Sequence, residues 1–162
     1  MPKRQALIAT IIVLLDRLTK WLVAKNILLD DSVQVLPGFF RLTHLENPGA
    51  AFSFLADSPS PVKTAMLILF SLAALTVVLV LVWRSKNEFN AVTIALSLIL
   101  GGATGNLWDR IVDGKVTDFL DFYVGLHHWP PFNLADSAIV TGALLLAWKM
   151  RFAPTKEKHG IV

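Results

Sequence analysis

Two aspartates stand in surroundings that make a carboxylate expensive. Asp118 lies in Val116-Thr117-Asp118-Phe119-Leu120, and Asp136 in Asn133-Leu134-Ala135-Asp136-Ser137. Charge beside or within hydrocarbon is costly, and such residues usually face a protein interior. Two carboxyl groups sharing one site cannot both ionise cheaply, so one keeps a proton. The ionised member can activate water while the protonated member polarises a carbonyl. That is peptide hydrolysis with neither a metal nor a covalent intermediate, and the pair titrates jointly. A helix starting near Asn133 would favour Asp136 as the ionised member. A structural reading stands beside the catalytic one. Asn133 can cap that helix with Asp136 returning a capping-box bond, and Asp118 can head an interfacial turn.

Other polar residues sort around this pair. Asp16 and Lys20 are four apart, with the acid N-terminal to the base, so a helix places them on one face. They form either a buried structural pair or a group that holds an active-site loop or a substrate headgroup. Arg17 points elsewhere and is expected to snorkel. Gly101 and Gly105 have the small-residue spacing of closely packed helices. Asn106 and Arg110 share the adjacent face if the helix continues, and could offer hydrogen bonds to a carboxylate. Asp109-Arg110 could instead be an interfacial cap. Asp109, Asp113, Asp118 and Asp121 are clustered in sequence, which leaves room for Mg²⁺ holding a phosphate in a lipid-modifying enzyme. Intramembrane acids also suit a small transporter. His127-His128 lack the spacing of a helical metal pair and lie beside Trp129-Pro130-Pro131, so an interfacial patch is the simpler reading.

What could position these groups follows from composition. The chain has 162 residues, 54% of them apolar and only 17% charged, with a mean hydropathy of +0.58. A soluble domain carries about a quarter charged residues. The composition argues against a soluble enzyme and against disorder, and one integral membrane domain is expected. Cysteine is absent, which removes disulfides, thiolate metal sites and a cysteine nucleophile. No cofactor and no metal site are expected.

Four apolar stretches, at about 5–23, 62–83, 91–107 and 133–150, are read as a bundle of four spanning helices, since about 20 residues cross a bilayer core. Lys3 and Arg4 before an apolar run also begin a secretory signal peptide. Asp16, Arg17 and Lys20 interrupt that run, so a retained helix is expected. With both termini inside, the inner segments hold Lys3, Arg4, Arg84, Lys86, Lys149, Arg151, Lys156 and Lys158 against Glu88 and Glu157. That asymmetry fixes orientation. It also accounts for the net charge of +3 without a nucleic-acid partner. The outer segment at about 30–57 contains strand-like Val33 to Leu36 and Phe39 to Leu45 and a turn at Asn47-Pro48-Gly49. It predicts a small outer sheet between the first two helices. The second outer segment, at about 108–132, is read as a loop.

Five motifs in order resemble a known family: Asp16-Arg17-Leu18-Thr19-Lys20, Asn47-Pro48-Gly49-Ala50-Ala51-Phe52-Ser53, Gly101 through Arg110, Val116-Thr117-Asp118-Phe119, and Phe132-Asn133-Leu134-Ala135-Asp136-Ser137. Together they resemble the bacterial lipoprotein signal peptidases, or signal peptidase II, over about residues 6 to 150. The resemblance implies an aspartic endopeptidase of the inner membrane with both ends cytoplasmic and its site near the periplasmic face. It would cleave prolipoproteins before a diacylglyceryl-modified cysteine. Its catalytic aspartates fall on Asp118 and Asp136. Its supporting positions fall on Asp16, Lys20, Asn47, Gly49, Asn106, Arg110 and Asn133, with Asp109 beside them. It implies a prolipoprotein substrate, contact with membrane lipids and binding of globomycin-type inhibitors; a monomer is expected. Arg17 stands where many members have Gln, and Pro48, which lacks a backbone donor, where many have Thr. The strand-rich segment, with Phe39, Phe40, Phe52 and Phe54, is read as a cover over the site.

Overall fold

Local chemistry sets where each helix begins. In a computed structural model describing residues 3–49, 61–85 and 88–152, four helices are present: α1 (Lys3–Asn26), α2 (Pro61–Arg84), α3 (Ala91–Val112) and α4 (Leu134–Arg151). Pro61 opens α2, where a missing N–H costs nothing. Asn90 caps α3 through a reciprocal bond pair with Thr93, and Asn133 does the same for α4 with Asp136. Each cap satisfies backbone donors that a helix start leaves open. Past Val112, Asp113 closes the helix through its N–H on the Asp109 carbonyl, and Gly114 turns the chain at φ +71°.

α3 is the hub of the packing. Its small residues let neighbours press onto its backbone. A Cβ on Gly101 would lie 2.7 Å from Ile12 Cβ, and one on Gly105 2.5 Å from Asp16 Oδ2. On its other side Gly102 meets the Ala135 carbonyl of α4. Ala9, Val82, Leu96 and Leu100 form one apolar cluster near the other end. Among the described residues, α2 and α3 are the helices long and apolar enough to cross a membrane by length and composition.

The non-helical residues corrected two expectations. A small sheet is present as expected, but it is not confined to the segment between the first two helices. The sheet has the order β1-β2-β3-β4, with β1 (Ser32–Leu36), β2 (Phe40–Asn47), β3 (Val116–Val124) and β4 (His127–His128). The segment at 108–132, read as a loop, thus supplies half the strands, and its first residues extend α3. β3 had been obscured because Asp118 and Asp121 break its apolar alternation, the signal by which strands are recognised. Antiparallel β2–β3 pairing sets Leu45 opposite Asp118 and Asn47 opposite Val116. Val23 of α1 and Ile27 just after it pack against Phe119 of β3, which seats the sheet on the helical bundle. Phe52 and Phe54 of the expected cover lie outside the described residues.

Candidate active site

β3 carries Asp118, the start of α4 carries Asp136, and both line a cavity of about 440 Å³. Neutral amides hold the two carboxyl groups. Asn47 Nδ2 donates to Asp118 Oδ2 at 3.0 Å, and Asn133 Nδ2 donates to Asp118 Oδ1 at 2.8 Å. Asp136 Oδ1 accepts from Asn106 Nδ2 at 2.7 Å, and its Oδ2 from the Asn133 backbone N–H at 3.2 Å. Asn133 therefore caps its helix and touches both acids. The capping box and the paired site are one arrangement, so the structural and catalytic readings of these residues do not compete.

The orientation of those amides comes from a second network beneath them. Lys20 Nζ donates to Asn106 Oδ1 at 3.0 Å, to Asp16 Oδ2 at 2.8 Å and to Asp109 Oδ2 at 2.6 Å. An ammonium only donates, so Asn106 must turn its oxygen toward Lys20. Its NH₂ then faces Asp136. Asp16 Oδ1 accepts from the Ala135 amide at 3.0 Å, tying α1 to the first turn of α4. Asp109 also pairs with Arg17. The expectation that Arg17 snorkels is thereby corrected. Asp109 faces α1, and a second cation balances an acid that Lys20 shares with Asp16.

Arg110 closes another side. It lines the cavity, and its Nη2 donates to the Gly49 carbonyl at 3.2 Å. Gly49 is itself held by its N–H on Asn47 Oδ1 at 2.9 Å. Asp136, Asp118 and Asp109 all act electrostatically on this guanidinium. Burial pushes the Asp118 carboxyl up to about 6, with the Asp136 charge adding in the same direction and the Asn47 and Asn133 bonds opposing. One carboxyl that holds its proton beside another that can ionise is the requirement for moving a proton onto one oxygen and off another.

All ten residues singled out from the sequence thus stand in one connected site. The four aspartates clustered in sequence do not converge on one point. Asp109 turns to Lys20 and Arg17, Asp118 to Asn47 and Asn133, and Asp121 to Arg41 and His128, while Asp113 ends α3. Trp129, Pro131, Phe132, Ser137 and Ile139 also line the cavity and were not anticipated. The signal for the first three was the Trp-Pro-Pro-Phe run directly before Asn133, which brings bulky rigid residues back to the site.

The chain was compared with known proteins. A family model for signal peptidase (SPase) II matches residues 8–152. The lipoprotein signal peptidase of Solibacter usitatus is 48% identical over 139 residues, covering 86% of this chain and 85% of that protein. The one from Desulforapulum autotrophicum is 45% identical over 150 residues, covering 92% of each. A bacterial membrane enzyme solved by the in meso method at 2.3 Å shares the fold at a TM-score of 0.84 and 29% identity, covering 98% of this chain and 94% of that one. With these matches spanning helices, sheet and cavity alike, the chain belongs to the signal peptidase II family.

Proposed function

We propose that this integral membrane protease is a metal-independent aspartic endopeptidase that removes signal peptides from bacterial prolipoproteins. It cleaves on the N-terminal side of a diacylglyceryl-modified cysteine. The observation that carries the reading is the placement of Asp118 and Asp136 on one cavity, each carboxyl held by asparagine donors. Asp136, at the positive end of α4, is the ionised member that takes a proton from water. Asp118, whose buried carboxyl is pushed up to about 6, donates toward the scissile carbonyl. As the tetrahedral carbon forms, Arg110 and Asn47 supply positive charge and hydrogen-bond donors nearby. Collapse expels the amine, which takes up the proton first removed from water.

Topology suits that substrate. Four helices span the inner membrane with both termini cytoplasmic, the sheet lies on the periplasmic side, and the site opens near that face. A signal helix in the bilayer then brings its end to the cavity, where Ile139 and Val140 of α4 face its lipid. A globomycin-type cyclic peptide would occupy the same cavity, and one chain carries a complete site without a partner.

The test is cleavage of a diacylglyceryl-modified prolipoprotein by the purified chain in chelator, beside Asp118→Asn and Asp136→Asn. Wild-type cleavage with both folded variants inactive is expected. Cleavage that survives both substitutions would remove the pair from the mechanism, and activity that returns only with added Mg²⁺ would favour the metal-dependent lipid-modifying reading.

A further inference from the structure

The outer face carries a second buried acid that this mechanism does not use. Asp121 of β3 is 1% exposed. Arg41 Nε of β2 donates to its Oδ2 at 2.6 Å. His128 Nδ1 of β4 lies 2.9 Å from Oδ1 and 3.1 Å from Oδ2. An ionised carboxylate only accepts, so His128 carries its hydrogen on Nδ1. Tyr123 completes the group. Its ring stacks on His128 with centroids 5.0 Å apart, the Arg41 guanidinium lies 5.4 Å from its centroid, and its hydroxyl accepts from the Gly38 N–H at 3.3 Å.

What this cluster fastens matters more than its stability. β4 is two residues long, and such a strand holds weakly through its backbone alone. The next residues are the cavity wall: Trp129, Pro131 and Phe132, then Asn133, which donates to Asp118. The wall is pinned at its far end by the Phe132 carbonyl, which accepts from Phe119 and Leu120. At its near end the Trp129 N–H donates to the Phe122 carbonyl at 2.8 Å, directly beside His128. We infer that Asp121, Arg41 and His128 form a clasp holding this wall at the width the substrate needs, and that His128 is a positioning residue. The effect on turnover rests on the peptidase reading; the effect on the wall does not.

Two measurements on the full chain in detergent micelles test it. Hydrogen exchange in His128→Ala should speed about tenfold in the segment 128–133, the scale of one charge-assisted hydrogen bond, with α1, α3 and α4 unchanged. His128→Gln, whose amide can still donate to Asp121, should keep most of the protection. Unchanged exchange in that segment would overturn the clasp, and faster exchange throughout the helices would reduce it to a stability role. In the prolipoprotein cleavage assay, His128→Ala should raise KM about tenfold with kcat within about twofold, and Gln should restore it. A fall in kcat at constant KM, or no change in either, would overturn the positioning role. A wild-type chain that cleaves nothing would sink the peptidase reading and leave the exchange experiment to decide the clasp.

Discussion

The chain buries acids in two ways a few side chains apart. At Asp118 and Asp136 the side chains that hydrogen-bond the carboxyl groups are neutral asparagines. At Asp16 and Asp109 they are cations, Lys20 and Arg17. A cation neutralises a carboxylate and fixes it as a charge. An amide orients a carboxylate while leaving it free to gain or lose a proton. On the proposed mechanism the first arrangement builds and the second reacts. Asn106 joins them, with its oxygen on Lys20 and its nitrogen on Asp136.

Substitutions should separate the two sites. Asp118→Asn and Asp136→Asn keep the shape of the amide-held site while removing its proton traffic. Each is expected to lower kcat by about 10²–10⁴-fold with the fold intact, read from cleavage rate and melting temperature. Lys20→Met does the opposite. It strands Asp16 and Asp109 with fewer partners, and breaking a buried ion pair from one side costs about 3–5 kcal/mol. Denaturant unfolding in micelles checks this. A Lys20→Met chain as stable as wild type would abolish the contrast, since the lower network would then hold nothing.

The pH dependence sharpens the comparison from the reactive side. The Asp118 carboxyl sits near 6 against the usual 3.8, so its charged form is disfavoured in the folded chain. Below about 4 the group is protonated in both states and costs nothing. As pH rises from there through about 6, the unfolded chain ionises first and stability falls by about 2–3 kcal/mol in all. Asp118→Asn should lack this decline and be more stable than wild type at neutral pH. The alkaline limb of kcat/KM should fall near 6 in wild type as Asp118 loses the proton it donates. The smallest effect is steric. Gly105→Ala would place a Cβ 2.5 Å from Asp16 Oδ2 and cost about 1–3 kcal/mol by overpacking, read as a lower melting temperature.

Helices were legible where apolar runs were long, as at α2, and less so at their ends, which caps decide. α3 continues past Leu107 through Asn106-Leu107-Trp108-Asp109-Arg110 because α1 supplies cations for its polar end. Nothing local announces that. The ten residues proposed for the site were singled out from motif order, and all but Gly49 are polar residues. The sheet was half readable. β1 and β2 have ordinary strand composition, whereas β3 spends its apolar positions on Asp118 and Asp121, whose partners come from β2, β4 and the cap of α4. His128 escaped for the same reason. Its meaning lies in Asp121, visible only once the two strands pair.

The strand order carries a consequence for how the enzyme comes into being. Asp118 is held by Asn47, 71 residues earlier in the chain, and the Ala135 amide by Asp16, 119 residues earlier. These two contacts join the first part of the polypeptide to the last. Until synthesis passes Asp136 the two halves are not both present, and contacts so distant in sequence are slow to form. On the proposed mechanism, a chain that has not yet reached α4, or one cut before it, is therefore inert. Such a hydrolase cannot attack its neighbours until its own last helix has been made.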